Sequence, residues 1–205
     1  MTAEQKILSD KIAALKASKR AIILAHYYTR GEVQAVADFM GDSLALSQKA
    51  AQADADIILF AGVRFMAETA KVLSPSKKVL LPVVEAGCSL ADSCDAAELA
   101  RVKAENPDHL VVAYVNTSVE VKALTDICCT SSNALDIVNR LPADQKVLFV
   151  PDRNLGGYIN KVTGRDMKLW DGASLSSAIL STENSSCTRQ APSQSFISRP
   201  VTLFI

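Results

Sequence analysis

The chain copies itself. Residues 24–38 (LAHYYTRGEVQAVAD) line up with residues 112–126 (VAYVNTSVEVKALTD) at an offset of 88. Ala25 falls on Ala113, Glu32-Val33 on Glu120-Val121, Ala35 on Ala123 and Asp38 on Asp126, and the same offset carries Asp42-Ser43 onto Thr130-Ser131. At an offset of 89, Leu59-Phe60 meets Leu148-Phe149 and Arg64 meets Arg153, a drift of the kind one connecting loop introduces. An ordered series of matches at fixed spacing argues for one structural unit built twice. The expected organisation is a helix over 1–17, a first repeat unit over 18–107 and a second over 108–172. A Ser-rich tail of different character then fills 173–205.

Each unit alternates short aliphatic runs with helical patterns. The runs at 21–25, 57–61, 79–84, 110–114 and 147–150 are continuously apolar, as strands buried on both faces of a parallel sheet are. Helices are expected over 32–39, 44–53, 65–73, 95–105, 119–126, 134–139 and 157–163. The alternation predicts an α/β fold of repeated three-layer units with parallel sheets. In the opening helix, Ile7, Leu8, Ile12 and Leu15 share one side. With 49% apolar residues but 5% aromatic, the core must be built from Ala, Val, Leu and Ile.

The charges, 22 basic against 22 acidic, exclude a partner held mainly by electrostatics, so no nucleic acid is expected. No apolar run reaches the length of a membrane span, and the N-terminus lacks a signal-peptide core. A cytoplasmic protein is expected, whose five cysteines are thiols or metal ligands instead of disulfides.

Ligand sites of α/β units lie at the carboxyl ends of the strands. The first strand of each unit ends in Ala25-His26-Tyr27-Tyr28 or Ala113-Tyr114-Val115-Asn116, so His26 corresponds to Tyr114 and Tyr28 to Asn116. These four polar side chains can converge on a cleft. Ser43 and Ser131 follow at equivalent points where helices are expected to start, and a hydroxyl beside free amides there can hold a phosphate or carboxylate. The plainer readings stand beside these: Ser43 and Ser131 as helix caps, His26 as a core histidine, and Arg64 and Arg153 as solvated helix starts. Cys88 and Cys94, in EAGCSLADSC, have no recognised metal-ligand spacing. The adjacent Cys128 and Cys129 suit small buried residues.

Taken in order, AHYYTRGEVQAVADFMGDSL, FAGVRFMAETAKVLSP, EAGCSLADSC, YVNTS, TSSNA and PDRNLGGYINKVTG resemble the quinolinate synthase family, from about Lys6 to Gly172. The resemblance implies an enzyme of pyridine nucleotide and NAD biosynthesis. Such enzymes condense iminoaspartate with dihydroxyacetone phosphate, releasing phosphate and water, in functional link with L-aspartate oxidase. It implies three α/β units about a pseudo-threefold axis, of which the repeat would be two. It also implies a 4Fe–4S cluster on three cysteines that leaves one iron open as a Lewis acid.

Carried over position by position, His26 and Tyr28 match residues that handle substrate carbonyl chemistry. Tyr114 and Asn116 match residues that contact the intermediate, with Tyr114 among the catalytic groups. Ser43 and Ser131 match binders of phosphate or carboxylate, and Cys88 matches the first cluster ligand. Cys94 has no ligand role in the family. The pattern departs at Ser174, which stands where the second cluster cysteine is expected, and the third unit is missing. A truncated or frame-shifted product with little or no activity is therefore expected. Two other functions fit the residues: a non-catalytic binder of a phosphorylated triose, or a thiol-redox protein using Cys88 and Cys94.

Overall fold

The computed structural model describes residues 2–171 and the backbone of Thr202–Leu203. It falls into two compact units that divide between Cys88 and Ser89. In the first, α1 (Ala3–Ser18), β1 (Ala21–His26), α2 (Gly31–Gln34), β2 (Phe39–Gly41), α3 (Ser43–Gln52), β3 (Ile57–Ala61), α4 (Arg64–Leu73) and β4 (Lys78–Leu80) follow one another. The second adds α5 (Ser89–Asp92) in front of α6 (Ala96–Glu105), β5 (Leu110–Tyr114), α7 (Val119–Leu124), β6 (Ile127–Cys129), α8 (Ala134–Arg140), β7 (Val147–Val150), α9 (Arg153–Thr163) and β8 (Lys168–Leu169).

Every strand pair is parallel. The sheets run β2-β1-β3-β4 and β8-β7-β5-β6, the latter extended by β9 (Thr202–Leu203) beside β6. With β1 set on β5, β2 on β6, β3 on β7 and β4 on β8, the two strand orders are the same. The α/β fold with parallel sheets expected from the apolar runs is the fold observed.

The repeat extends to individual hydrogen bonds. The Asp38 carboxylate accepts the Ile23 amide at 2.8 Å and Lys16 Nζ at 2.7 Å, while Lys16 also donates to the Val36 carbonyl. In the second unit the Asp126 carboxylate accepts the Val111 amide at 2.8 Å and Lys103 Nζ at 3.1 Å, and Lys103 donates to the Leu124 carbonyl. Each aspartate thus staples the start of a short strand, β2 or β6, to β1 or β5 beside it, using a lysine of the helix that precedes β1 or β5.

Packing separates the units. The second sheet is buried on both faces. Val111, Ala113, Leu148 and Val150 pack with Leu99, Val121 and Trp170, and Val112, Val147 and Phe149 pack with Val138 and Ile159. A fully buried Leu or Phe contributes roughly 1.5–3 kcal/mol, so these two faces hold most of the second unit's stability. The Trp170 indole closes the first face by donating to the Ser93 carbonyl at 3.0 Å.

The first sheet is covered closely on one face only, where Leu24, Ile58 and Phe60 are fully buried. Over its other face α1 leaves a groove of about 1020 Å³ whose walls include Leu8, Ile12, Ile23, Leu59, Leu80 and Pro82. The expected helix is present, with Leu8, Ile12 and Leu15 along the groove, but no residue of it is buried, and Ile7, Leu8 and Leu15 are each more than half exposed.

Two helices expected from periodicity are shorter. The pattern at 32–39 gives α2 and then β2, and that at 119–126 gives α7, with β6 directly after it. No helix among the described residues is long and apolar enough to cross a membrane.

Candidate functional site

In the first unit β1 delivers His26 to the carboxyl end of the sheet, and the chain turns back at once. The Thr29 amide and hydroxyl donate to the His26 carbonyl at 2.9 and 2.8 Å. The turn lays the Tyr28 ring on the imidazole, centroids 4.0 Å apart at 28°, with Tyr27 exposed beside it. His26 Nδ1 accepts the Tyr28 amide at 3.4 Å, which leaves Nε2 to carry the proton of the neutral ring. Burial lowers the His26 pKa, with the Asp42 carboxylate pulling the other way. The ring is therefore neutral at pH 7 and presents an Nε2–H donor.

Tyr28 reaches across to α4. Its hydroxyl oxygen accepts the Val63 amide at 2.8 Å, satisfying one of the free N–H groups at that helix start. Burial raises the phenol's pKa and the nearby Cys88 thiol adds to the rise, while the Val63 N–H opposes it. Tyr28 therefore stays protonated, its hydroxyl donating to Met66 Sδ at 3.8 Å, a weak acceptor. The same helix start anchors the loop that carries Cys88, because the Arg64 amide donates to the Ala86 carbonyl at 2.8 Å. His26, Tyr28 and Cys88 thus share one end of the first sheet, and Cys88 is half-buried.

Ser43 occupies the first turn of α3, but the cap is Asp42, whose side chain accepts the Ala45 amide at 2.8 Å. Asp42 also sets a carboxylate beside the amides that an anion would use.

In the second unit, Tyr114 ends β5 and is half-buried. Thr117 repeats the hydroxyl contact made by Thr29, donating to the Tyr114 carbonyl at 3.3 Å, while its amide donates to the Val115 carbonyl at 2.8 Å. Asn116 lies between the buried residues Val115 and Thr117. Ser131 does not start a helix: α8 begins at Ala134, and Ser131 is exposed in a turn that follows β6. Neutral contacts brace that turn. Thr130 Oγ1 and Ser132 Oγ lie 2.8 Å apart, and Asn133 Oδ1 accepts the Thr130 amide at 2.7 Å. The position equivalent to Asp42 is therefore uncharged here, which makes Ser131 the better placed hydroxyl for an anion.

Arg64 and Arg153 both begin helices, as the plainer reading had it. They pair with Glu68 and with Asp171, respectively.

The thiols differ sharply. Cys128 and Cys129 are buried, as expected, and burial raises both pKa values. Cys94 is buried in the core of the second unit, and burial pushes its thiol up to about 12. Such a thiol is a poor nucleophile, so a redox pair of Cys88 and Cys94 has no support. A 4Fe–4S cluster on three cysteines requires three thiolates aimed at one point. Among the described residues no three His, Cys, Asp or Glu side chains form a group able to hold a metal ion. Cys88 alone has the required exposure, so these residues do not complete the donor set. Ser174 lies outside the described residues.

Sequence reasoning missed the helix start at Val63 and Arg64 as the anchor for both Tyr28 and the Cys88 loop. Its signal was present in the Arg64–Arg153 match of the repeat.

Residues 10–201 match the family described as quinolinate synthetase A protein. That match continues past Gly172, where the motif resemblance ends, into the segment outside the described residues. The chain is similar to the quinolinate synthase of Synechocystis sp., 60% identical over 166 residues, which are 81% of this chain and 52% of the relative. It is 56% identical over 175 residues to that of Microcystis aeruginosa, covering 84% of this chain and 55% of the relative. To that of Synechococcus sp. it is 58% identical over 166 residues, covering 81% and 52%. The chain spans about half the length of the curated relatives it matches. On the match to the family model and on these identities, the chain belongs to the quinolinate synthetase A protein family.

Proposed function

We propose that this chain carries substrate-handling residues of a quinolinate synthase, the enzyme that condenses iminoaspartate with dihydroxyacetone phosphate on the way to NAD. The observation that carries the proposal is the duplicated turn at the carboxyl ends of β1 and β5. It holds His26 with Tyr28, and Tyr114 with Asn116, at equivalent positions. Within it, His26 Nε2–H donates to the ketone oxygen of dihydroxyacetone phosphate, making the carbonyl carbon a better electrophile. Tyr28, protonated and close by, supplies a proton to an oxygen that leaves as water. The Asn116 amide and the Tyr114 hydroxyl orient the carboxylates of the condensed intermediate. Ser43 in the first unit and Ser131 in the second each offer a hydroxyl to a phosphate or carboxylate, Ser43 more weakly because Asp42 stands beside it.

Cys88 is the residue suited to one ligand position of a 4Fe–4S cluster. The described residues complete no such set, so no step is routed through it. The free thiols of Cys88, Cys94, Cys128 and Cys129 support a cytoplasmic setting, and the substrate iminoaspartate supports a link to an aspartate-oxidising enzyme.

Isothermal calorimetry with dihydroxyacetone phosphate tests the reading. Saturable binding that His26→Ala or Ser131→Ala weakens is expected. Binding that neither substitution changes would refute it.

A further inference from the structure

We infer that Gln34 and Lys122 are positioning residues, each holding the site loop of its own unit through the same pair of backbone carbonyls. The inference rests on the reading of Tyr28 and Asn116 as substrate-handling residues. Gln34 Nε2 donates to the Tyr27 carbonyl at 3.0 Å and to the Thr29 carbonyl at 2.7 Å. Lys122 Nζ donates to the Val115 carbonyl at 2.9 Å and to the Thr117 carbonyl. Every position is related by the offset of 88: Gln34 to Lys122, Tyr27 to Val115 and Thr29 to Thr117. In each unit the two captured carbonyls flank one residue, Tyr28 in the first and Asn116 in the second.

The physical reason lies in the turn. Past the last ladder residue of β1 or β5 the backbone leaves the sheet, and its carbonyls need new donors. One terminal nitrogen that bridges the carbonyls before and after a residue fixes the backbone on both sides of it. The aim of the side chain between them is fixed as a result. The hydroxyls of Thr29 and Thr117 brace the preceding carbonyl in the same way.

Packing alone does not account for the pair. Lys122 is 2% exposed, and burying an ammonium is costly unless its donors are used. A methionine of similar length would fill that space without the charge. Gln34 is half-buried, neutral and shorter, yet it donates to the equivalent carbonyls. The common property of the two side chains is a terminal nitrogen donor.

Four substitutions test this. Gln34→Met and Lys122→Met keep the side-chain length and remove the donor, while Gln34→Lys and Lys122→Gln exchange the two donors. The readouts are calorimetry, with dihydroxyacetone phosphate for the Gln34 variants and with quinolinate, a dicarboxylate standing in for the condensed intermediate, for the Lys122 variants, and backbone hydrogen exchange over 27–29 and 115–117. Each methionine variant is expected to bind roughly tenfold to a hundredfold more weakly and to exchange faster in its own unit's loop only. The exchanged-donor variants should recover most of the affinity, which a role in filling space would not produce.

The inference is overturned if the methionine variants bind like the parent, or if the exchanged donors bind no better than methionine. Should Lys122→Met fail to fold, the half-buried Gln34 pair decides alone. His26→Ala, read with dihydroxyacetone phosphate, and Asn116→Ala, read with quinolinate, separate the two levels. If both bind normally, the substrate reading fails. If they bind weakly while the methionine variants bind normally, the reading stands and the positioning role fails.

Discussion

Removing the Asp126 side chain should unfasten the start of β6, by an amount the geometry sets. In Asp126→Ala the Val111 amide loses a 2.8 Å bond to a carboxylate. Val111 is fully buried, so no water replaces that acceptor. An amide left unsatisfied in a core costs about 1–3 kcal/mol. The ion pair with Lys103 goes as well, but its side chains are 31% and 39% exposed, so it adds no more than about 1 kcal/mol. The expected loss is about 1–4 kcal/mol, confined to the second unit. Asp126→Asn keeps an acceptor in place and should cost about 1 kcal/mol or less.

Hydrogen exchange at the Val111 amide is the assay, because it reads the affected bond and not the average of two units. Exchange there should accelerate by at least about fivefold in Asp126→Ala, while the Ile23 amide, bonded to Asp38, keeps its rate. Asp38→Ala should produce the mirror result. Unchanged protection at Val111, or equal acceleration at both amides, would refute the staple.

Two further outcomes follow from the thiols and the histidines. With Cys187 replaced by Ser, iodoacetamide at pH 8 should label Cys88 quickly and leave Cys94, Cys128 and Cys129 for the unfolded chain. A thiol at about 12 holds roughly a thousandfold less thiolate at that pH than a free one. Mass spectrometry that found two sites labelled at similar rates would contradict this. His26 should titrate below the ordinary imidazole value, followed by its ring proton signals. Because the folded ring takes up its proton at lower pH than the unfolded one, His26 stabilises the fold fully above about 6.5. That contribution is lost as pH falls through the window below it, and a His26 midpoint at or above 6.5 would refute the burial argument.

Much of this was legible in the residues. The aliphatic runs at 57–61, 110–114 and 147–150 became β3, β5 and β7 with the expected bounds, since a strand buried on both faces has few residues it can use. The run at 79–84 became a strand of three residues, Lys78–Leu80, with Pro82, which has no N–H to donate to a ladder, just beyond it. The strands β2 and β6 were not legible. Each is three residues long, directly follows a helical pattern and is fixed by Asp38 or Asp126 instead of by its own propensity.

Helix α9 starts at Arg153, ahead of the expected 157, because Asp152 caps it. Gly156 allows the helix a close approach, since a Cβ there would come within 2.6 Å of Leu169. For the candidate site, His26, Tyr28, Tyr114 and Asn116 were legible as strand-end residues. Gln34 and Lys122 were not, because a neutral amide and an ammonium at equivalent positions look unrelated until their acceptors are seen.

Growth on a medium without quinolinate or nicotinate tests the central claim most directly. Residues 1–171 of this chain would be joined to the remaining half of the Synechocystis sp. relative and expressed in a strain that lacks its own quinolinate synthase. The chimera should restore growth, and the single changes His26→Ala, Asn116→Ala and Cys88→Ala should each abolish it while leaving the protein folded. A folded chimera that failed to support growth, or one that grew equally well with all three changes, would contradict the assignment of substrate handling to these residues.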